Sequence, residues 1–278
     1  MNVLEATFLG AVEGLTEFLP VSSTGHLTIL EKLLGYSIDD PDITAFTAII
    51  QVGAVFATLL YFRKDLGRIL AALLRGIVQP RWRGHPDYLF GWAVLLGSLP
   101  IGVVGLLFKD MIETTLRSLW FVGTALVVWS GVIAYADGNA TQKRHEADVT
   151  WKDTLAIGLV QCAALIPGIS RSGATMSAGL TRGLDRVTVT RLSFFLSIPA
   201  LFGAAALQGV SEAGNIAHGV GWTPTIIATA VSFAVAYVAI AWLLKFIGKN
   251  NYDMFIIYRI ILGTTVLLLL ATGILSAT

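Results

Sequence analysis

The chain has 278 residues, of which 55% are hydrophobic and only 13% are charged, whereas about 25% of the residues in a typical soluble protein are charged. This composition excludes a soluble globular domain and indicates an integral membrane protein. The net charge of +1 excludes the basic excess of a nucleic-acid-binding protein. The single cysteine, Cys162, excludes an internal disulfide and a cysteine-rich metal site.

Six apolar segments are long enough to cross a bilayer as helices, because ~17–25 helical residues span a hydrocarbon core of about 30 Å. They lie roughly at 46–62, 90–108, 120–136, 192–209, 224–244 and 258–276. Between the first two, residues 65–80 place leucine and isoleucine at helical spacing with basic residues between them. That pattern predicts an amphipathic helix on the cytoplasmic surface.

Two further apolar segments, 4–34 and 154–181, are interrupted halfway by Pro20 and by Pro167-Gly168. A proline cannot donate a backbone hydrogen bond, and it moves the preceding residue out of the helix. Each segment therefore predicts two half-helices joined by a polar elbow, which must be covered by protein or water. We name residues 17–26 the first elbow and residues 167–175 the second. The predicted fold is an all-α integral membrane protein with six transmembrane helices and two re-entrant helical hairpins.

The distribution of basic residues predicts the orientation of the chain. If the loop 63–89 is cytoplasmic and both hairpins return to the side they entered from, fifteen of the 19 lysines and arginines are cytoplasmic, as the positive-inside rule expects. Both termini are then outside. This count places Arg259 on the cytoplasmic side and leaves Arg171 as the only basic residue buried in the membrane.

An ungapped shift of 148 residues aligns the two halves of the chain. It pairs Gly10 with Gly158, Glu13 with Gln161, Ser22 with Ser170, and Gly25 with Gly173. We interpret residues 1–136 and 137–278 as two repeats of a single membrane domain. Because the first contains three full spans, an odd number, the second must be inverted. Inverted repeats with broken helices place their site at the repeat interface, so we expect the two elbows to face each other.

Glu13 and Glu17 lie four residues apart, so a helix places them on one face. Two carboxylates this close in a medium of low dielectric constant cannot both stay charged cheaply, so one is protonated or a cation lies between them. Mg²⁺ and Ca²⁺ prefer such oxygens, and Mg²⁺ often adds substrate phosphate oxygens. The sequence predicts a divalent-cation site at Glu13 and Glu17, the alternative being a helix-stabilising pair.

The polar residues after Pro20 stand at the start of an apolar helix. A serine there is either the helix N-cap or, with the free amides of the first turn, part of an anion site. The predicted phosphate-binding residues are Ser22, Thr24 and Gly25. We predict Ser23 as the nucleophile and His26 as its general base, because a hydroxyl and a histidine stand close in sequence. A structural, hydrogen-bonding histidine is the alternative.

The second elbow supplies a positive charge. The forked donors of Arg171 match phosphate oxygens; an ion pair with Glu13 or Glu17 is the alternative, and the two roles can coexist. The neighbouring positions predicted to cap the helix or bind phosphate are Ser170, Ser172, Gly173 and Thr175. Together the two elbows predict a site for a lipid-linked phosphate or diphosphate.

Two stretches resemble the signature motifs of the bacterial undecaprenyl-diphosphate phosphatases, the bacitracin-resistance family. They are Glu-Gly-Leu-Thr-Glu-Phe-Leu-Pro-Val-Ser-Ser-Thr-Gly-His at 13–26 and Pro-Gly-Ile-Ser-Arg-Ser-Gly-Ala-Thr at 167–175. Their polar positions all agree, and Ile169 stands where the family often has an aromatic residue. The resemblance implies hydrolysis of undecaprenyl diphosphate to undecaprenyl phosphate and inorganic phosphate, recycling of the peptidoglycan carrier lipid, resistance to bacitracin, dependence on Mg²⁺ or Ca²⁺, and a place in the bacterial inner membrane.

The resemblance also places Glu13, Glu17, Ser23, His26 and Arg171 in the catalytic site. In our hypothesis the two glutamates hold the cation, Arg171 clamps the terminal phosphoryl group, and Ser23 or a water attacks. The rival hypothesis is a lipid-phosphate flippase or secondary transporter, because opposed broken helices are common in transporters. The predicted partners are a polyprenyl diphosphate, membrane lipids and a second copy of the chain, with no nucleic acid.

Overall fold

The computed structural model describes residues 1–38, 40–108, 111–112, 115–211, 216 and 219–277, with the side chains of 115 and 204–211 left out. The regular structure of these residues is helical, which confirms the all-α fold class. The helices are α1 (Val3–Thr16), α2 (Ser23–Leu33), α3 (Pro41–Tyr61), α4 (Arg63–Val78), α5 (Pro86–Leu107), α6 (Leu119–Gly138), α7 (Trp151–Gln161), α8 (Arg171–Thr181), α9 (Arg186–Ser211), α10 (Trp222–Ile247) and α11 (Asp253–Ala271).

Helices α3, α5, α6, α10 and α11 are long and apolar enough to cross a membrane. The chain is therefore a multi-pass membrane protein. These helices cover five of the six predicted spans. The sixth predicted span, 192–209, lies inside α9, whose 26 residues make a helix of about 39 Å at 1.5 Å per residue. A sixth crossing there remains a prediction.

The amphipathic helix predicted at 65–80 corresponds to α4. Its buried face consists of Ile69, Ala72 and Gly76 and packs on α5. Leu70 and Leu74 on the other side are exposed. An exposed apolar face beside basic residues suits a helix lying along a lipid surface.

The last predicted span, 258–276, is displaced by five residues from α11, which runs from Asp253 to Ala271. Arg259 consequently lies inside the helix, and its side chain is fully buried. Two predictions are therefore wrong: Arg259 is not on the surface, and Arg171 is not the only buried basic residue. The helix tolerates this charge because backbone carbonyls inside the protein accept hydrogen bonds from the guanidinium.

Each broken segment forms two half-helices, α1 with α2 and α7 with α8. The first half-helix of each hairpin packs on a long helix from the other half of the chain. A Cβ on Gly10 in α1 would lie 2.3 Å from the carbonyl oxygen of Ala228 in α10, and one on Gly158 in α7 would lie 1.9 Å from that of Gly97 in α5. Glycine is required at both contacts, because no other residue leaves room for the opposing backbone.

Local geometry recurs at the same offset of 148 residues. Two N-caps form capping boxes with an acidic residue three positions later, and two serines with φ of 74° and 77° cap the second half-helices through a glycine amide. The paired positions are Asn2 and Thr150, Glu5 and Asp153, Ser22 and Ser170, and Gly25 and Gly173. The boundary between two repeats at residues 136 and 137 remains a prediction.

At the start of the second hairpin, a buried acid in the first turn of α7 binds two arginines from the flanking loops. Both carboxylate oxygens of Asp153 accept hydrogen bonds from Arg144, at 3.0 and 2.6 Å, and Arg182 donates a third at 2.9 Å. Burial raises the pKa of the Asp153 carboxyl, but the hydrogen bonds from Arg144 and Thr150 outweigh that effect and hold the pKa below its usual range. The equivalent Glu5 accepts a single side-chain hydrogen bond from Tyr36, at 2.6 Å.

Candidate active site

The two elbows cross in direct contact. The amide of Gly168 donates to the Ser22 hydroxyl at 3.1 Å, and the Ser172 hydroxyl donates to the carbonyl of Leu19 at 2.8 Å. A Cβ on Gly25 would lie 3.5 Å from the Cα of Gly168. The interruptions of the two hairpins therefore meet at one point, as the sequence predicts.

An ion pair joins the elbows at this crossing. Arg171 Nη2 lies 2.7 Å from Glu17 Oε1, and the Ser23 hydroxyl donates to Glu17 Oε2. Glu17 caps the C-terminus of α1, Ser23 is the first residue of α2, and Arg171 is the first residue of α8. The ends of three half-helices thus place the predicted nucleophile, a carboxylate and the guanidinium together.

Glu13 lies one turn before Glu17 and is fully buried. Among the described residues, neither of its carboxylate oxygens has a hydrogen-bond partner. A buried, unpaired carboxylate is too costly to persist as such, so a proton or a cation must neutralise it. One donor nitrogen of the site is also uncommitted in the described part of the chain: Arg171 Nη1 is buried without an acceptor.

Both ring nitrogens of His26 contact groups other than the Ser23 hydroxyl. Its Nδ1 lies 2.7 Å from the carbonyl oxygen of Ser22, and its Nε2 lies 2.6 Å from the hydroxyl of Tyr258 in α11. Because the carbonyl can only accept, Nδ1 carries the proton, and in the neutral ring Nε2 accepts from Tyr258. The group that accepts the Ser23 hydrogen bond is Glu17, and the arrangement of His26 agrees with the structural alternative.

The capping alternative is observed for one serine in each elbow. Ser22 Oγ accepts from the Gly25 amide at 3.3 Å, and Ser170 Oγ accepts from the Gly173 amide at 3.1 Å. The two glycine amides that could bind a phosphate are thus already hydrogen-bonded. These four residues shape the helix ends that carry Ser23 and Arg171.

Of the remaining predicted phosphate-binding residues, two make hydrogen bonds within the protein and one lines the cavity. Ser172 is bonded to Leu19 across the elbows. Thr175 is buried, and its hydroxyl contacts the carbonyl oxygen of Arg171 at 2.9 Å and the Ser193 hydroxyl at 2.7 Å. Only Thr24 of these three lines the cavity beside the ion pair.

That cavity has a volume of about 200 Å³. Its polar wall comes from the elbows and α3, and its apolar wall comes from α5, α9, the second elbow and the turn just before that elbow. The lining residues are Glu17, Ser22, Ser23, Thr24, Gln51, Ser170 and Arg171 on the polar side, and Ile101, Ala164, Leu165, Pro167 and Leu201 on the apolar side. A small polar space with an apolar wall suits a charged head group on a hydrocarbon chain.

A family model described as bacitracin resistance protein BacA matches residues 6–265. The chain belongs to this family. A protein of Frankia casuarinae named undecaprenyl-diphosphatase 3 is 78% identical over 278 residues, covering 100% of both chains. Undecaprenyl-diphosphatase of Cutibacterium acnes is 53% identical over 284 residues, with both chains fully covered. Undecaprenyl-diphosphatase 1 of Streptomyces avermitilis is 51% identical over 277 residues, covering 99% of each chain.

The acidic residues of this BacA-family chain fit a divalent cation shared with a substrate. The described residues contain no group of three or more His, Cys, Asp or Glu side chains that could hold a metal. Glu13 and Glu17 offer two carboxylates, and the oxygens of Glu13 are uncommitted. Mg²⁺ is commonly held by one or two carboxylates, with waters and substrate phosphate oxygens completing its shell.

Sequence reasoning missed three residues around the site. Gln51 lines the cavity, Tyr258 contacts His26, and Arg259 contacts both elbows. A signal existed for Gln51 and Arg259, since each is an isolated polar side chain within an apolar span. Such residues are expensive in a membrane unless they serve a function.

Proposed function

We propose that this BacA-family protein hydrolyses undecaprenyl diphosphate to undecaprenyl phosphate and inorganic phosphate, so recycling the carrier lipid of peptidoglycan and conferring resistance to bacitracin. The observation that carries the proposal is Glu17, which accepts a hydrogen bond from Ser23 and pairs with Arg171. The names of the relatives, undecaprenyl-diphosphatases, support the choice of substrate. The site would bind the diphosphate in the cavity, with the prenyl chain leaving along Ile101, Leu165 and Leu201.

Arg171 binds the terminal phosphoryl group through its uncommitted Nη1. A guanidinium with one nitrogen on Glu17 and another on phosphate keeps the donors in a fixed plane. It also balances the charge of the Glu17 carboxylate. In phosphoryl transfer, such positioning and charge neutralisation supply most of the catalysis.

The Ser23 oxygen attacks the terminal phosphorus while its proton passes to Glu17. The bond between that phosphorus and the bridging oxygen breaks, and undecaprenyl phosphate leaves with the electron pair. A water then hydrolyses the phosphoserine and releases inorganic phosphate. In the alternative, a water bound at Ser23 attacks directly, and Glu17 accepts its proton. The base is Glu17 in either case, while His26 holds the backbone of Ser22.

The proposal includes a divalent cation, Mg²⁺ or Ca²⁺, held by Glu13 and Glu17. When bound it would neutralise charge on the diphosphate and on the buried carboxylate of Glu13. The uncommitted oxygens of Glu13 support this part of the proposal.

Phosphate release by purified protein in detergent tests the activity. We expect release from undecaprenyl diphosphate that stops on addition of EDTA and returns with excess Mg²⁺ or Ca²⁺. Ser23→Ala should abolish release if serine attacks and reduce it only several-fold if water does. Ser177→Ala is the matched control, because among the described residues that buried hydroxyl bonds only to the carbonyl of Ala174 in its own helix. Absence of release from folded wild-type protein would refute the hydrolase.

A flippase for lipid phosphates is the second candidate, favoured by the crossing of two broken hairpins from opposite halves of the chain. The detergent assay separates the two functions, because hydrolysis needs no bilayer and lipid translocation does. Movement of a labelled prenyl phosphate across vesicles, without phosphate release in detergent, would favour the flippase.

The partner proposals are a prenyl diphosphate as substrate and a homodimer as assembly. Comparing the release rates of short-chain and long-chain prenyl diphosphates measures how far the apolar wall extends the binding site. Light scattering of the detergent-solubilised protein measures the number of chains in the assembly.

A further inference from the structure

Among the residues that the structure describes, Arg259 is the largest fully buried side chain, yet it lies in α11 and not in either elbow. In the described part of the chain its contacts are hydroxyl and carbonyl oxygens, and no carboxylate is among them. Burying a charged guanidinium costs free energy of desolvation, and neutral acceptors compensate this cost less fully than a carboxylate would. A specific role for its shape is therefore expected.

The guanidinium spans the crossing of the two hairpins. Arg259 Nη1 donates to the carbonyl of Pro20 in the first elbow at 3.1 Å, and Nη2 donates to the carbonyl of Gly168 in the second at 3.0 Å. Its Nε donates to the hydroxyl of Ser130 in α6 at 3.1 Å. Both elbow carbonyls belong to irregular backbone, which has no helical partner for them.

We propose that Arg259 is a positioning residue that fixes the register of one elbow against the other. The carbonyl of Pro20 lies between Glu17 and Ser23 in the chain, and the carbonyl of Gly168 lies three residues before Arg171. One rigid group that binds both carbonyls therefore sets the distance between the Arg171 guanidinium and the Glu17 carboxylate. This inference rests on the proposed function only in its kinetic test, which requires the hydrolase activity.

Arginine is required for this role because its donors form a planar fork. A lysine at 259 would carry the same charge but could not hold the two carbonyls and Ser130 in one plane. Arg186 provides a matched control: it is a partly buried arginine whose side chain meets one carboxylate, Asp137, at 2.6 Å. A lysine ammonium can replace it there.

The kinetic test compares Arg259→Lys with Arg186→Lys in detergent, after size-exclusion chromatography confirms that each is folded. A misplacement of about 1 Å can lower turnover on the order of 10²-fold. We therefore expect kcat for Arg259→Lys to fall by about that factor, with KM within about threefold of the wild-type value. Arg186→Lys should keep both constants. Unchanged kcat, or a rise in KM alone, would overturn the proposal.

Hydrogen exchange of the elbow peptides gives a readout that does not depend on activity. The Gly168 amide, which bonds to Ser22 across the crossing, should exchange faster in Arg259→Lys, as should the peptide that contains Ser22. Arg186→Lys should leave both unchanged. If wild-type protein releases no phosphate, the proposed function fails while this comparison still decides the role of Arg259.

Ser130→Ala covers the case in which Arg259→Lys does not fold. It removes only the hydroxyl that holds Nε, so we expect a several-fold fall in kcat, an unchanged KM and faster exchange in both elbows. Wild-type exchange and kcat in Ser130→Ala, or faster exchange in one elbow alone, would refute the fixing of their register.

Discussion

The first and second elbows share a backbone and differ in chemistry. Ser22 and Ser170 adopt φ of 74° and 77°, and each caps the following half-helix through the amide of a glycine three residues on. The next residue in each elbow is Ser23 in one and Arg171 in the other. The repeated backbone brings the two positions to the same crossing, and divergence at a single position supplies a hydroxyl from one side and a cation from the other.

The acids follow the same division. Glu17 aligns with Leu165 and Glu13 with Gln161. Glu13 and Gln161 are both fully buried, and among the described residues the polar atoms of both side chains lack partners. An unsatisfied amide costs far less than an unpaired carboxylate. Of these two aligned positions, only Glu13 therefore requires a cation or a proton, which is why we propose the metal there.

The largest effect is expected from making the second elbow like the first. Arg171→Ser introduces the residue found at the aligned position and removes the guanidinium from Glu17. Losing one group that stabilises charge in a transition state costs about 10²–10³-fold in kcat, and we expect phosphate release to fall by that amount or more. Glu17→Gln should match it. Near-normal release in either folded variant would contradict the assignment.

A smaller effect is expected from making the first half like the second at the buried acid. Glu13→Gln should lower activity by about 10–100-fold, the usual cost of weakening a metal site, and should raise the Mg²⁺ concentration needed for half-maximal release. The matched control is Gln161→Leu, which removes an unsatisfied amide and should leave the metal dependence unchanged. A Mg²⁺ titration of phosphate release measures both variants, and an unaltered titration in Glu13→Gln would exclude Glu13 as a ligand.

The loop ends of the hairpins differ in stability rather than activity. A hydrogen bond to a charged group contributes about 1.5–3 kcal/mol, and Asp153 is buried while its arginine partners are partly exposed, so Asp153→Asn should destabilise the protein more than Glu5→Gln. Because the pKa of Asp153 is lowered on folding, its contribution is complete above its unfolded pKa of about 3.9. It is lost as the pH falls further. Thermal unfolding should show a melting temperature that drops below about pH 4 in wild type and less steeply in Asp153→Asn; equal slopes would contradict the pairing.

The smallest effect concerns the two caps. Replacing a serine cap by alanine costs about 1 kcal/mol, and both Ser22→Ala and Ser170→Ala should destabilise by at least that amount. Ser22→Ala should cost more, because Ser22 Oγ also accepts the Gly168 amide across the two elbows, whereas the second bond of Ser170 Oγ, with the Ser172 hydroxyl, stays within its own elbow. Glycine at either position should be milder, since it tolerates the positive φ. Denaturant unfolding in detergent measures the four variants, and equal costs for the two alanine variants would refute the added role of Ser22.

Much of the architecture was accessible from the sequence because it follows from local rules. Pro20 and Pro167-Gly168 interrupt apolar segments, so both hairpins could be located. The offset of 148 residues aligned the caps. The first elbow has no basic residue to balance its carboxylate, which pointed to Arg171 in the second. These features depend on residues near each other in sequence or on a repeated pattern.

The rest depended on contacts between distant residues. His26 follows Ser23 by three positions, but its ring is oriented by Tyr258, 232 residues away. The sequence predicted Arg259 at the end of a span, because hydropathy counts its charge but not the distant backbone carbonyls that accept its hydrogen bonds. Gln51 belongs to no motif, and the packing of α3 against α1, α9 and α10 places it in the cavity.

The glycine contacts between half-helices and long helices determine when, during translation, the first hairpin can pack. Helix α1 has 14 residues and is about 21 Å long at 1.5 Å per residue, too short to cross the bilayer alone. The surface that receives Gly10 is Ala228 of α10, which the ribosome makes more than two hundred residues later. The first hairpin therefore completes its packing only near the end of translation. A chain truncated before α10 would lack the surface on which α1 packs.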